Sequence, residues 1–304
     1  MLDNQLYLFM TVADKKNFSR AGQFLNMTQP AISQHIHALE DYYGAKLFER
    51  SSKKVELTQA GMVLYNYAQE IMALHEAAKR AVADLVDRVT GKLTIGASLT
   101  IGEYVLPRLL ATFAKNYPDV EFSVVVGNTE LIHELTREGT IDVGMVEGVI
   151  DDSQLHIRAF LQDEMVLVAP VLHPLAKRSQ VSRDDIRECV FVIREEGSGT
   201  RLAMEEFFEK AGIMPDRVIT LGSTQAIKEA VEAGLGITIL SKWSLRKELA
   251  LGSLKPLRIK GADIPRWFFL IYRKEKFMSR ACDEFIKLVT GKDLPQILAE
   301  VTAK

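Results

Sequence analysis

Apolar residues between positions 18 and 40 recur at intervals of three and four, which is the spacing of one face of an α-helix. Ile32, Ile36 and Leu39 are the clearest set, and they predict a helix with one buried face. Polar side chains occupy the other faces of this helix: Gln29, Ser33, Gln34 and His37. The pattern therefore predicts a helix that keeps a polar surface free for a partner.

The residues at the helix ends predict a tight turn before this helix. Ser19 is predicted to cap a first helix, because a hydroxyl beside the apolar Phe18 can accept an amide hydrogen at a helix start. Asn26 tolerates the left-handed conformation that ends a helix. Thr28 is predicted to cap the second helix, with Pro30 in its first turn. Together these signals predict a helix-turn-helix.

Two short strands are predicted next, at residues 47–50 and 55–58 around the polar loop 51–54. Such a hairpin beside a polar helix forms the wing of a winged helix-turn-helix domain, predicted to span residues 1–58. Its basic residues could neutralise phosphates of a DNA backbone. An ordinary solvated hairpin tip is the alternative interpretation.

The polar surface of the second helix has side chains suited to reading DNA bases. A glutamine such as Gln29 can make two hydrogen bonds to adenine, and Pro30 and Ala31 can touch a thymine methyl group. Thr28 and the helix start can hold a phosphate. A helical hairpin in another all-helical domain is the competing interpretation. The predicted DNA-contacting residues are Ser19, Arg20, Thr28, Gln29, Pro30, Ala31, Ser33, Gln34, His37, Arg50, Lys53 and Lys54.

No proline occurs from Thr58 to about Arg88, and apolar residues recur there every seven positions. This heptad pattern predicts a long helix whose apolar seam is covered by a second copy of the same helix. Packing of the helix on its own domain is the alternative interpretation. The seam comprises Leu64, Tyr67, Ile71, Leu74, Ala78, Ala81 and Leu85. Residues 59–90 are thus predicted to form a linker helix that dimerises the chain.

The pattern changes after Gly91, where short apolar runs alternate with amphipathic stretches. This alternation predicts an α/β domain over residues 91–304, in a chain that is α/β and multidomain as a whole. The predicted strands are residues 92–97, 120–126, 143–147, 165–169, 190–193, 218–221, 237–240 and 268–272. The order of these strands in a sheet does not follow from the sequence.

The composition suits a protein with packed cores. Its 304 residues are 47% hydrophobic and 26% charged, with a formal net charge of −2. The nearly neutral charge means that DNA binding must depend on a local surface. The sequence shows neither a signal peptide nor a long apolar segment, so we expect a cytoplasmic protein with no membrane partner.

The cysteines and histidines predict no metal site and no cofactor. Cys189 and Cys282 lack Cys-x-x-Cys spacing and are predicted to be reduced thiols, with a paired-cysteine redox switch as the alternative. His35 and His37 are two residues apart on a helix and therefore point in different directions.

Polar loops follow several predicted strands of the α/β domain. The loop at residues 194–201 combines glycines and hydroxyls at a helix start, where amide groups could bind an anion. Ligands of open α/β sheets collect at the carboxyl ends of strands, so we predict a small, polar, anionic effector there. Helix capping by Ser98, Ser198 and Thr224 is the alternative interpretation. The predicted effector contacts are Ser98, Thr100, Asn128, Thr129, Glu147, Gly197, Ser198, Gly199, Thr200, Arg201 and Thr224.

Several motifs follow one another along the first 65 residues: Phe-Ser-Arg-Ala, Thr-Gln-Pro-Ala-Ile-Ser, Leu-Glu, Leu-Phe-Glu-Arg and Leu-Thr-Gln-Ala-Gly. In these motifs, and in its length and layout, the chain resembles the LysR-type transcriptional regulators. The resemblance implies a sequence-specific regulator of double-stranded promoter DNA that responds to a metabolite. It also implies dimers and tetramers, with RNA polymerase as a further candidate partner.

The same resemblance implies a C-terminal domain like the periplasmic binding proteins, with a ligand between two lobes. One lobe would comprise residues 91–161 and 267–304 and the other residues 162–266, with crossing segments near residues 161–164 and 265–268. The Glu-Glu-Gly-Ser-Gly-Thr-Arg run resembles the subgroup that controls sulfite-reduction and Calvin-cycle operons. Small inorganic or phosphorylated anions are therefore the first effectors to test.

Many family members have arginine at the positions of Gln34 and His37. With fewer cations on the recognition helix, we expect a weaker salt dependence of DNA binding than in a more basic relative.

Two other classes of function compete with this interpretation. The Gly-Ser-Gly-Thr loop could cradle a phosphate in an enzyme, but the sequence has no Walker A lysine, no Gly-x-Ser-x-Gly elbow and no metal-spaced cluster. A solute-binding transport component would share the two-lobed cleft, but it would require export and have no use for the first ninety residues. We therefore expect a regulator and not an enzyme.

Overall fold

The computed structural model describes residues 2–50, 55–83, 89–148, 150–178, 180–274 and 278–299. The chain divides into two compact units, Met1–Arg88 and Val89–Lys304. The described helices and strands of the first unit are α1 (Leu2–Lys15), α2 (Phe18–Leu25), α3 (Gln29–Tyr43), β1 (Phe48–Arg50), β2 (Val55–Leu57) and α4 (Gln59–Ala83).

An apolar core joins the helices and the hairpin of the first unit. Ile32 and Ile36 of α3 are fully buried in it, as the helical spacing predicts. The rings of Phe9 and Phe18 pack on Phe48, with centroids 5.3 and 5.6 Å away. The start of the hairpin is therefore fixed against α1 and α2.

The turn between α2 and α3 forms as predicted, but α2 has a different cap. Asn26 ends α2 in the left-handed conformation, with φ 54°, and Thr28 caps α3. The predicted cap at Ser19 is wrong, because the side chain of Asn17 accepts the amide hydrogen of Arg20 and Ser19 lies inside the first turn.

An apolar stripe runs along one side of α4. Four predicted seam residues are exposed there: Tyr67, Ile71, Leu74 and Ala78. Leu64 is instead buried in the core of the first unit, so its assignment to the seam is wrong. The side chain of Ala81 and the whole of Leu85 lie outside the described part of the chain.

The second unit alternates strands and helices, as predicted. Its first part contains β3 (Gly91–Ser98), α5 (Leu99–Tyr104), α6 (Leu106–Asn116), β4 (Val120–Gly127), α7 (Thr129–Arg137), β5 (Val143–Glu147) and β6 (Leu155–Pro170). Its middle part contains β7 (Gln180–Val181), α8 (Arg183–Arg187), β8 (Val190–Arg194), α9 (Gly199–Ala211), β9 (Arg217–Leu221) and α10 (Thr224–Glu232). Its last part contains β10 (Thr238–Ser241), α11 (Arg246–Leu251), β11 (Leu254–Ile259), β12 (Ile264–Arg273), α12 (Arg280–Thr290) and α13 (Leu294–Ala299).

The main sheet has the strand order β4–β3–β5–β12–β6–β11–β7, and β10 also pairs with β6. β3 is parallel to β4 and β5, whereas β12 is antiparallel to β5 and β6. β8 and β9 form a separate parallel pair. Phe191 of β8 bridges Ile237, which precedes β10.

The two largest apolar cores of the second unit mark two lobes. Lobe I surrounds the core of β3, α6 and α12, in which Phe113 contacts Phe285. Lobe II surrounds the core of β8 and α9, in which Phe191 is fully buried. β12 contributes Phe268 to the first core and Ile264 to the second. Together with its long partner β6, it passes from one lobe to the other.

Candidate functional site

The polar side of α3 is open to solvent at the start of the helix. Its exposed residues are Gln29, Pro30, Gln34 and His37, while the cap Thr28 and, on α2, Ser19 and Arg20 are exposed as well. Ala31 and Ser33 are half-buried. The amide nitrogen Nε2 of Gln29 donates to Ser33 Oγ at 2.9 Å, so this side chain lies along the helix surface.

A buried carboxylate fixes the end of α3 against the hairpin. Glu40 accepts hydrogen bonds from the Leu47 main-chain amide at 3.0 Å and from Lys46 Nζ at 2.8 Å. His37 Nδ1 lies 3.3 Å from the same carboxylate. Burial acts to raise the pKa of Glu40, but the bonds from Lys46 and Leu47 outweigh it and lower the pKa. Ionised Glu40 thus helps to set the position of the recognition helix.

The basic tip of the hairpin cannot be placed from the described residues. Lys53 and Lys54 lie outside them, as does the side chain of Arg50. The strands that carry the tip pair antiparallel, with Phe48 opposite Leu57.

In the second unit, strand-end groups of both lobes converge on the carboxylate of Glu147, at the end of β5. Ser98 Oγ and the Thr100 main-chain amide, both in lobe I, donate to Oε1 at 3.0 and 3.1 Å. Thr200 of lobe II donates from Oγ1 to Oε2 at 2.9 Å. Four of the predicted effector contacts therefore lie together, and one of them is an acid that the others bind.

Arg266 of β12 completes this arrangement. Its Nη1 lies 2.7 Å from Glu147 Oε2 and 3.0 Å from Thr200 Oγ1. Its Nε and Nη2 donate to Asp163 Oδ2 at 3.0 and 2.6 Å. Ser241 donates to the other oxygen of Asp163 at 2.7 Å. We call Glu147, Asp163 and Arg266 the buried ion cluster.

The buried ion cluster has two carboxylates for one guanidinium. Burial acts to raise the pKa of Glu147, but the charge of Arg266 and the surrounding hydrogen bonds lower it overall. For Asp163 the effect of burial is larger than that of Arg266, and its pKa is raised. With both acids ionised the cluster carries one net negative charge, so it does not attract an anion.

Sequence patterns do not identify Asp163, Arg266 or Ser241 as site residues. Arg266 could have been noticed, because it interrupts the apolar strand β12 and a charge inside a buried strand requires a partner. The identity of that partner is a long-range contact that the sequence does not show.

The loop at residues 194–201 contacts α7 of lobe I directly. The Glu130 main-chain amide donates to the Gly197 carbonyl at 3.1 Å, and Gly197 has φ 78°, which favours glycine. Thr129 Oγ1 donates to the Glu147 main-chain oxygen at 3.3 Å. A Cβ on Gly199 would clash with that same oxygen. These contacts place both glycines at a close approach of the two lobes.

A cavity of about 360 Å³ adjoins this contact. Four glutamates are among its lining residues: Glu130, Glu147, Glu196 and Glu205. Arg201, predicted to bind the effector, is paired with Glu205 at 2.6 Å and lies 3.7 Å from Glu196. The charge of Arg201 is therefore already balanced by neighbouring carboxylates.

Some predicted contact residues are helix caps and others are not. Ser198 caps α9 and Asn128 caps α7. Ser98 makes no side-chain cap bond, and Ser223, not Thr224, caps α10. Capping thus accounts for two of these residues and leaves the hydroxyls of Ser98 and Thr224 for other contacts.

Thr224 contacts a different cation, Arg194 at the end of β8. Arg194 Nη1 donates to Thr224 Oγ1 at 3.3 Å, and its Nε and Nη2 donate to the two oxygens of Glu195 at 2.7 and 2.6 Å. One turn further along α10, Lys228 Nζ lies 3.3 Å from the hydroxyl of Tyr104 in lobe I. Thr224 and Lys228 are four residues apart, so they share the side of α10 that meets lobe I.

Neither Cys189 nor Cys282 forms a disulfide. Burial, together with nearby Asp185 and Glu188, raises the pKa of the Cys189 thiol, which disfavours the reactive thiolate. Cys282 is buried in the core of lobe I.

Two family descriptions match the chain. "Bacterial regulatory helix-turn-helix protein, lysR family" matches residues 4–62. "LysR substrate binding domain" matches residues 87–293, which is more than half of the chain.

Curated relatives match almost the whole length. The HTH-type transcriptional regulator CysL of Bacillus subtilis is 36% identical, over 96% of this chain and 98% of its own. The HTH-type transcriptional activator CmpR of Synechocystis is 32% identical, over 98% of both chains. A probable RuBisCO transcriptional regulator of Cyanidioschyzon merolae is 35% identical, over 93% of this chain and 95% of its own.

Solved structures share the fold. The Synechocystis CcmR regulatory domain in complex with 2-PG is 31% identical, with a TM-score of 0.61 over 66% of this chain and 96% of that domain. Full-length CbnR complexed with its target DNA is 25% identical, with a TM-score of 0.68 over 95% of this chain and 99% of CbnR. Within the described residues, no helix has the length and apolar character of a membrane span.

Proposed function

The chain belongs to the LysR family of bacterial transcriptional regulators, and from this premise we propose that a small anionic metabolite, bound between lobes I and II, controls its action at promoters. The protein is a DNA-binding regulator with an effector-binding domain, not an enzyme. We further propose that it works in the cytoplasm as a tetramer of paired dimers and contacts RNA polymerase.

For DNA recognition, we propose that Gln29 and Gln34 read bases while Thr28 and the start of α3 hold a phosphate. The exposure of these side chains, on a helix whose apolar side is fully buried, supports this assignment. The basic residues of the hairpin would add contacts to the backbone.

The observation that carries the effector proposal is the meeting of strand-end groups from both lobes around Glu147. The hydroxyls of Ser98 and Thr200 and the amide of Thr100 bind the Glu147 carboxylate where the lobes meet, so an effector that changes the closure of the lobes would act on this contact. The similar CcmR domain is described in complex with 2-PG. We therefore propose phosphorylated or inorganic oxyanions as the effector class.

Effector binding would favour one closure angle between the lobes. In paired dimers, a changed closure angle would alter the spacing of the winged helices and hence the bend of the promoter DNA. The bond between Glu130 and Gly197 joins the lobes, so it is a contact that such a movement would change.

Binding of the intact chain to fragmented genomic DNA, with sequencing of the recovered fragments, tests the DNA part of the proposal. We expect a dyad-symmetric site. Recovery of fragments without a shared dyad would reject sequence-specific binding by paired domains.

Fluorescence anisotropy at the recovered site, with 2-phosphoglycolate, phosphate, sulfate or sulfite, tests the effector part. We expect one of these anions to change the affinity for DNA, and Thr200→Val to weaken that response. Thr112→Val, which changes the same side chain on α6, is the matched control. If none of the anions alters DNA binding by the parent chain, the proposed effector class is wrong.

A further inference from the structure

The buried cations where the lobes face each other differ in how their charge is balanced. Arg266 pairs with two almost fully buried carboxylates, Glu147 and Asp163. Lys228 donates to Glu248 Oε1 at 2.6 Å and to the Ser244 main-chain oxygen at 3.0 Å. An incoming anion could reach either cation only by displacing a buried partner.

Arg194 is balanced in another way. Its side chain is 2% exposed, whereas that of its partner Glu195 is 29% exposed. The carboxylate of Glu195 fills the fork formed by Nε and Nη2 of Arg194. Glu195 already has one side in water and can turn towards it, but Arg194 cannot follow. A guanidinium buried in this way requires another anion when its partner leaves.

The surroundings of Arg194 suit such an anion. Its Nη1 donates to Thr224, which is the first residue of the nine-residue helix α10. The start of a helix attracts negative charge, because its first amide groups have no partner within the helix. A charged fork, a hydroxyl and a helix start therefore occur together.

We propose that Arg194 recognises the anionic group of the effector, and that Glu195 is an internal carboxylate which the effector replaces on the Arg194 fork. This inference rests on the proposed function and names the residue that recognises the charge. The ligand class is a small molecule with a carboxylate, phosphate or sulfate group, because these groups present two oxygens to a guanidinium fork. Thr224 supports the same anion.

Replacement of Glu195 by the effector explains how a cleft lined by carboxylates can still bind an anion. Glu195 moves to solvent as the effector arrives, so no buried charge is left without a partner. Glu147 offers no such exchange, because it is buried and shares Arg266 with Asp163. Ser98, Thr100 and Thr200 then hold the lobes around Glu147 and do not receive the charge of the effector.

The test compares anion binding by four full-length variants with that of the parent chain, using sulfate and 2-phosphoglycolate as probes in isothermal titration at constant ionic strength. Glu195→Gln removes the internal competitor, and we expect it to bind an anion at least about tenfold more tightly, the effect of losing one charge-assisted interaction. Glu195→Asp, whose shorter carboxylate fits the fork less well, should show a smaller gain. Arg194→Lys, which lacks the fork, should lose binding.

Glu209→Gln is the matched control, because it removes the same charge at an exposed position near the end of α9 that does not line the cavity. It should bind like the parent. Equal affinities of Glu195→Gln, Glu195→Asp and Glu209→Gln would overturn the proposal, as would the absence of binding by both Glu195 variants. If Glu195→Gln fails to fold, the affinities of Glu195→Asp and Glu209→Gln are compared instead.

The outcomes also separate this inference from the proposed function. An anion that changes DNA binding by the parent and by Arg194→Lys alike would leave the function standing and reject Arg194 as its recognition residue. Tighter, Arg194-dependent anion binding that never affects DNA binding would support the site and reject the proposed control of transcription.

Discussion

Arg266 and Glu147 form an ion pair in which neither side chain is more than 3% exposed, with Arg266 Nη1 2.7 Å from Glu147 Oε2. The pair joins β12, the central strand of the sheet, to the end of its neighbour β5, and Arg266 also contacts Thr200 of lobe II. A buried pair adds little net stability, because desolvation offsets the attraction, but loss of one partner leaves a buried charge uncompensated. Removal of one partner should therefore destabilise the fold more than the intact pair stabilises it.

Arg266→Met should destabilise the second unit by about 3–5 kcal/mol, because it leaves Glu147 and Asp163 without their cation. Urea unfolding followed by circular dichroism measures this change. Arg258→Met, at an exposed position of β11, is the control and should stay within about 0.5 kcal/mol of the parent. Equal stabilities of the two variants would show that the cluster is not held by Arg266.

Acid should weaken the fold through Glu147. Its pKa is lowered from an ordinary value of 4.5, so its contribution to the unfolding free energy is complete above that pH and is lost as the pH falls through the folded value. Asp163 acts in the opposite direction, because its raised pKa makes the folded chain less stable as the pH rises from 3.8 through the folded value.

Glu147→Gln should therefore show less loss of stability than the parent when urea unfolding is repeated at decreasing pH below 4.5. Glu121→Gln, an exposed change on β4, should behave like the parent. Parallel curves for parent and Glu147→Gln would contradict the assignment.

Leu74→Asp should weaken self-association of the chain. Leu74 is 68% exposed on the apolar stripe of α4, and in the predicted dimer a carboxylate there would be buried against the second copy of the helix. We expect the dissociation constant from sedimentation velocity to rise at least about tenfold, or about 1.4 kcal/mol. Gln69→Asp introduces the same charge at an exposed position on another side of α4 and should leave the dissociation constant unchanged. Equal effects would place the interface elsewhere.

Asn17→Ala should cost about 1 kcal/mol of unfolding free energy, because it removes the cap of α2. Ser19→Ala, two residues later, should change the stability by no more than about 0.5 kcal/mol. Urea unfolding of both variants decides between the two positions. A larger loss in Ser19→Ala would restore Ser19 as the cap.

Gln34→Arg should add one phosphate contact on α3. The slope of log affinity against log salt should then steepen by about one, as measured by anisotropy at the recovered DNA site between about 50 and 200 mM salt. Gln225→Arg, an exposed change on α10, adds the same charge in the effector domain. The same slope in both variants would show that Gln34 does not face DNA.

Sequence patterns predict the parts of this fold that neighbouring residues determine. Asn26 and Thr28 end and start their helices through contacts within a few residues, and both were identified. The cap of α2 was predicted at the wrong residue because Asn17 and Ser19 both have a side-chain oxygen near the start of this helix. Residue type alone did not distinguish them.

Long-range pairing explains what was missed. Only residues 165–169 of β6 were predicted, yet the strand begins at Leu155 because it pairs with β12 along its first part. The buried ion cluster joins Glu147 to Arg266 across 119 positions of sequence, and no local pattern contains that distance. The loop at residues 194–201 was located, but the partners of Arg194 and Arg201 required the fold.

The bond between the Glu130 amide and the Gly197 carbonyl has a kinetic consequence. Main-chain groups of the two lobes are joined here, so a metabolite that requires the lobes to open binds only after this bond breaks. Its association rate would then level off at high concentration, at the rate of separation. A plateau of this kind would identify opening of the lobes as the step that precedes binding.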